Sequence, residues 1–121
     1  MILVDTSVWI EHFRVGRPDL QELLEDGRAY CHPFVIGELA CGHLRNRTEV
    51  IKHLNLLPSV EPADHVEAMH LLEARKLVGR GISWVDVHLL ASALISHVEL
   101  WTVDQRLASA ARELHLAARL G

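Results

Sequence analysis

Asp5, Glu38, Asp86 and Asp104 are four carboxylates in four separate stretches of the chain. Each lies beside an apolar run suited to ending a strand or opening a helix. The runs are Ile2-Leu3-Val4-Asp5-Thr6-Ser7, Val35-Ile36-Gly37-Glu38-Leu39-Ala40, Ser83-Trp84-Val85-Asp86 and Trp101-Thr102-Val103-Asp104. Brought to one point, such a set suits a hard divalent cation, because Mg²⁺ and Mn²⁺ take oxygen ligands. Without a cation, two carboxylates ~5 Å apart repel by roughly 3 kcal/mol at an effective dielectric of 20. A bound ion removes that repulsion, lowers the pKa of its water and polarises a phosphate, which is the chemistry of phosphodiester hydrolysis.

Each acid also has a plainer reading. Asp5 and Asp104 each stand where a side chain caps the helix that follows. Ser83-x-x-Asp86 has the spacing of a capping box. Glu38, set among Ile36, Leu39 and Ala40, is expected to be partly buried and to need a partner. The joint placement of all four favours the functional reading.

The elements that would position them alternate between strand and helix. Ile2 to Asp5 reads as a buried strand, followed by a helix with Val8, Trp9, Ile10 and Phe13 as its apolar contacts. Gly16 and Pro18 break it, and Asp19 to Glu25 gives a second helix ending at Gly27. Arg28 to Cys31 is a second strand. A helix entered at Pro33 runs through Glu38 towards Leu44, and Thr48 to Leu56 gives another. From Ala63 to Val78, Val66, Met69 and Leu72, widened by Ala68, Leu71 and Leu77, form a helical stripe. Ser83 opens a helix that is apolar nearly all round and therefore internal. Glu99 to Val103 is a strand, Gln105 to Leu114 a helix, and Leu116 to Ala118 a weakly signalled last strand. The alternation predicts an α/β fold whose parallel sheet gathers ligands beyond the carboxyl ends of its strands.

The 121 residues suffice for one domain with a real core, and half of them are hydrophobic, which argues against disorder. No apolar run approaches the ~20 residues of a membrane span. The opening Met1-Ile2-Leu3-Val4-Asp5 lacks the basic region of a signal peptide and reads as a strand. Cys31 and Cys41 show no CxxC spacing and are expected to be reduced, buried and cytoplasmic. The nine histidines include no HxxxH or HExxH pair, so structural or surface roles are expected of them. The net charge is −4, but setting the four acids aside leaves a formally neutral chain. Ten of its twelve basic residues are Arg, the side chain suited to bidentate phosphate contact. RNA or DNA is therefore permitted as a partner.

Together the segments Val4-Asp5-Thr6-Ser7, Gly37-Glu38-Leu39, Asp86 with Leu89-Leu90-Ala91-Ser92-Ala93, and Trp101 to Leu107 resemble the four motifs of PIN-domain ribonucleases. Length and order resemble the VapC-type toxins of toxin–antitoxin pairs over essentially the whole chain, residues 1–121 as a single domain. The resemblance implies a three-layer fold with a short parallel central sheet flanked by helices. It implies a Mg²⁺- or Mn²⁺-dependent endoribonuclease held inactive by a cognate VapB-type antitoxin, and commonly a homodimer. Asp5, Asp86 and Asp104 would hold the metal. Glu38 would position the attacking water or share the ion. Ser7 and Thr102 match supporting hydroxyl positions. Trp9, Ile10 and Phe13, too many for one stripe to bury, would leave part of their helix exposed as an antitoxin groove.

The chain departs from the family pattern at two places. Arg106 stands where many relatives carry a further acid, so a second ion would be held more weakly. His88 stands where a small or aliphatic residue is usual, and packing is the expected role. Two rival functions remain. Phosphoryl transfer through Asp5 would need a lysine after a later strand, but Lys52 and Lys76, the only two, fall in helical segments. A PIN-like module that binds RNA or protein without cutting is the other rival, and the intact acid set argues against it.

Overall fold

The computed structural model describes residues 1–120. Its three strands are β1 (Ile2–Val4), β2 (Ala29–Tyr30) and β3 (Glu99–Trp101). Its helices are α1 (Thr6–Val15), α2 (Pro18–Glu25), α3 (Pro33–Cys41), α4 (Arg47–Leu56), α5 (His65–Ala74), α6 (Trp84–Ser96) and α7 (Gln105–Glu113). The strands are parallel in the order β2-β1-β3, with Leu3 opposite Tyr30 on one side and Leu100 on the other. Successive strand residues point to opposite faces. Ile2, Leu3 and Val4 are all fully buried, so both faces of the sheet are covered. That is why this strand is continuously apolar rather than alternating.

The strands are shorter than their sequence signals. Cys31 and the weak last strand take part only as isolated bridges, Cys31 to Ser59 and Leu100 to Ala117. These bridges extend the sheet at both edges; at the second, the Leu116 carbonyl accepts from the Leu100 amide at 2.7 Å. Helix α6 matches its sequence pattern, with Val87 through Ala93 all buried. Helix α3 stops at Cys41, before Leu44, and Gly37 does not interrupt it.

Two expectations fail, the α5 stripe and the burial of Cys41, while the partial exposure expected of α1 holds. In α5, Val66 and Met69 are 72% and 40% exposed, whereas Ala68 and Leu71 are buried. The helix starts at His65 behind an Asp64–Glu67 capping box and ends at Ala74, so it is shorter than Ala63 to Val78. The small Ala68 side is turned inward, and α5 packs on α6. In α1, Val8 and Trp9 are buried, but Ile10 and Phe13 remain substantially exposed. Cys41 is exposed at the end of α3, and only Cys31 is buried. Burial pushes the Cys31 thiol up to about 11.

Arg17 braces the α1–α2 corner. Its guanidinium pairs with Asp19 at 2.8 Å and Glu11 at 3.2 Å, and lies 5.1 Å from the centre of the Trp101 ring. Among the described residues, no helix is long and apolar enough to cross a membrane.

Candidate active site

Asp5 follows β1 directly, and its amide donates to the Trp101 carbonyl on β3 at 2.9 Å. It occupies the N-cap position of α1 but makes no side-chain cap. Its Oδ2 instead accepts from Ser7 Oγ at 2.6 Å and from Thr102 Oγ1 at 2.8 Å. Thr102 Oγ1 in turn accepts from the Asp104 amide at 3.0 Å, and Ser7 Oγ from the Val103 amide at 3.2 Å. Two hydroxyls thus tie the ends of β1 and β3 together around a buried carboxylate.

Of the other three acids, Glu38 and Asp86 lie on helices and Asp104 lies between β3 and α7. Asp104 caps α7, its Oδ1 accepting from Arg106 N at 2.9 Å and Leu107 N at 3.2 Å. Asp86 sits at the third position of α6 in a complete capping box: its Oδ2 accepts from Ser83 N at 2.9 Å, and its own amide donates to Ser83 Oγ at 3.1 Å. The capping reading is therefore correct for these two and wrong for Asp5. Glu38 is exposed, contrary to expectation, because the second turn of α3 opens onto a cleft. Its partner is Thr6, whose Oγ1 donates to Oε1 at 2.6 Å. Thr6 was not singled out from the sequence, although its place beside Asp5 was the available signal.

Electrostatics joins what the hydrogen bonds keep apart. The Asp86 carboxyl is raised above its ordinary value, first by burial and then by the charges of Asp5 and Asp104, against the opposing pull of its Ser83 hydrogen bonds. Asp86 therefore feels both strand-end acids. Each of the four carboxylates commits one oxygen to the protein. The second oxygen of each accepts no hydrogen bond among the described residues. Within those residues, no three His, Cys, Asp or Glu side chains stand close enough to one point to hold an ion directly. The donor set is all oxygen and suits Mg²⁺ or Mn²⁺, with water completing the shell, since Mg²⁺ usually keeps several waters.

The two departures have clear positions. His88 is buried and packs between Trp84 and Phe34, as expected. Arg106 lies across Gly81, whose φ is +77°. The positive φ favours glycine, and a Cβ there, 2.7 Å from Arg106 Cδ and Nη1, would push the Arg106 side chain aside.

The three-stranded parallel sheet, with acids at the ends of β1 and β3 and on the flanking helices, defines a PIN-type nuclease fold. The chain belongs to the PIN domain family, whose sequence profile matches residues 2–113, and within it to the VapC-type ribonucleases. It is 48% identical over 118 residues to Ribonuclease VapC32 of Mycobacterium tuberculosis, covering 97% of this chain and 95% of that protein. It is 28% identical over 109 residues to Ribonuclease VapC11 of the same organism, covering 80% and 81% of the two chains. The crystal structure of PAE2754 from Pyrobaculum aerophilum shares the fold, with a TM-score of 0.56 and 18% identity over 89% of this chain and 77% of that one.

Proposed function

We propose that this chain is an endoribonuclease toxin that hydrolyses RNA phosphodiester bonds with Mg²⁺ or Mn²⁺ held by Asp5, Asp86 and Asp104. The carrying observation is that four acids each fix one carboxylate oxygen through the protein and leave the other unengaged. A purely structural set of caps gives no reason for Asp5 to be buried beside two hydroxyls and to bear on Asp86. A bound divalent ion would supply Lewis-acid polarisation of the phosphate and a water acidic enough to attack it. Ser7 and Thr102 hold Asp5 in one orientation, and Ser83 does the same for Asp86. Glu38, held at Oε1 by Thr6, has Oε2 available to take the proton of the attacking water in an in-line displacement. The names of the relatives support RNA as substrate, and the reading implies a cytoplasmic setting.

Thermal melts test the ion. Saturating Mg²⁺ or Mn²⁺, at 100 times its Kd, is expected to stabilise the fold by roughly 2.7 kcal/mol over EDTA. For a chain of this size that is about 10 °C. The same midpoint in EDTA, Mg²⁺ and Mn²⁺ would count heavily against a shared ion site.

Phosphoryl transfer through Asp5 finds no support, because Lys52 lies in α4 and Lys76 follows α5, neither at a strand end. For partners, Ile10 and Phe13 line an open cleft of about 640 Å³ with Leu39, His43 and Arg45, and Glu38 stands on its wall. This cleft supports the reading that a VapB-type antitoxin segment docks here and reaches the acids. Trp9, expected to share this groove, is only 3% exposed and belongs to the core. Ile10→Ala and Phe13→Ala are expected to loosen the antitoxin complex while the free chain stays folded, read by calorimetric titration. Trp9→Ala would instead unfold part of the protein, since such deletions cost about 3–5 kcal/mol. Unchanged affinity in both folded variants would move the antitoxin elsewhere. A homodimer is the companion proposal, supported by the apolar recess around Val66, Leu71, Ala91 and Ile95 on α5 and α6.

A further inference from the structure

Five rings form a contiguous chain between exposed His65 and buried His32, three of the contacts tilted and one, Trp84 on His88, edge to face. His65 lies 5.3 Å from Trp84, Trp84 4.6 Å from His88, His88 4.9 Å from Phe34, and Phe34 5.0 Å from His32. The inner end is firmly held. His32 is buried, with Nδ1 accepting from the Phe34 amide at 2.9 Å and Nε2 at 3.2 Å from Ser92 Oγ. His88 is 5% exposed, and its Nδ1 is buried with no hydrogen-bond partner among the described residues. Yet the rings on either side of it, Phe34 and Trp84, are 41% and 39% exposed.

Single exposed aromatics are ordinary on protein surfaces. These two are not placed at random. Trp84 and His88 are four apart on α6 and share a helix face, which Asp86, two positions from each, does not share. Phe34 and Glu38 are four apart on α3 and share a helix face. Phe34 therefore stands on the helix face that carries Glu38, and the two open rings flank a buried polar atom that has no hydrogen-bond partner among the described residues. Such an atom is uncommon in native structures and marks a place that the fold leaves incomplete.

We propose that Phe34 and Trp84 form a stacking platform for an unpaired nucleobase adjacent to the cleaved phosphodiester. The proposal rests on the ribonuclease reading and adds to it a base-binding subsite, in which an unpaired base is held by its face. Unstacked RNA bases take aromatic side chains as stacking partners, and the contact tolerates any base because each has a π-face. His88 is a positioning residue that sets the spacing of the two rings.

The test uses the full chain carrying Asp5→Asn, with Mn²⁺, and a short single-stranded oligouridylate. A matched oligomer with one abasic ribose serves as the comparison probe. Phe34→Leu and Trp84→Leu are each expected to raise Kd about tenfold, equivalent to ~1.4 kcal/mol. Phe34→Tyr and Trp84→Phe, which keep a ring, are expected to bind as the parent does. Trp84 is the exposed one of the three tryptophans, so its fluorescence should be quenched on binding. The abasic oligomer should bind the parent more weakly and no longer distinguish the Leu variants. Leu variants that are folded and bind like the parent would overturn the platform, while cleavage of total RNA by the unmutated chain would leave the ribonuclease reading standing. Lost binding accompanied by a fall from dimer to monomer mass would also overturn it, assigning the rings to a subunit contact. An unmutated chain that neither binds the oligomer nor cuts total RNA would sink the ribonuclease reading and the platform together.

Discussion

Asp5→Asn is expected to lower RNA cleavage more than about 100-fold, beyond the 10- to 100-fold typical of losing an outer partner of a metal ligand. The amide keeps the shape of the carboxylate, but removes the charge that draws the ion and that Asp86 feels. Thr102→Val removes only one of the two hydroxyls that orient Asp5 and is expected to fall within that 10- to 100-fold range. The stability readout separates this from capping. Asp5 makes no cap, so the Asn variant should melt no lower than the parent in EDTA, where repulsion among the acids is uncompensated. Its gain from Mg²⁺ should shrink. A folded Asp5→Asn protein that cuts RNA at the parent rate would remove the mechanism.

Acid should destabilise the chain through His32. Burial, aided by the nearby His88, lowers the His32 pKa to about 4 from a usual 6.5. Between those values the unfolded chain binds the proton and the folded chain does not, so stability rises with pH across the window. The contribution is complete above about pH 6.5 and is lost as pH falls towards 4. It amounts to on the order of 2–3 kcal/mol. Asp86 runs the other way. Its raised folded pKa makes its contribution fullest below the ordinary value of 3.8 and lost as pH rises through the folded value. The two oppose each other only at the acid end. Urea melts from about pH 7 to 4.5 should show the decline in the parent. His32→Asn, which can still accept the Phe34 amide as a good N-cap but does not titrate, should flatten it. A parent with constant stability across that range would contradict the assignment. Because His32 caps the helix that carries Glu38, the same protonation should loosen the active site before the whole chain unfolds.

The sheet was legible because β1 is too short and too apolar to be anything but a central strand, and because acids close β1 and follow β3. The four acids were legible as candidates for the same reason, but the hydrogen bonds each makes were not. Asp5 looked like a cap, yet it accepts hydroxyls contributed by Ser7 and by Thr102, 97 positions away. No local pattern encodes a bond of that range. Glu38 looked buried from its apolar neighbours, but helical turns separate neighbours in sequence onto different faces. The stripe in α5 misled for a related reason. Val66 and Met69 have helical spacing, but the side bearing Ala68 and Leu71 is the buried one, and Val66 and Met69 point outwards. Periodicity detects that a helix has an apolar side; it does not tell which side is covered by the same chain and which awaits another.

Fixing one oxygen of each acid through the protein has a thermodynamic consequence. Immobilising a rotamer-rich side chain on binding costs about 0.5–1.5 kcal/mol. Here much of that ordering has already occurred on folding, through Thr6, Ser7, Ser83, Thr102 and the first amides of α7. An ion bound by these acids would therefore meet side chains whose freedom is already spent, and its arrival should change their mobility little. Removing the hydroxyls would shift that ordering onto the binding step. A titration calorimeter would register the change as a less favourable entropy of ion binding, with the charges at the site left as they were.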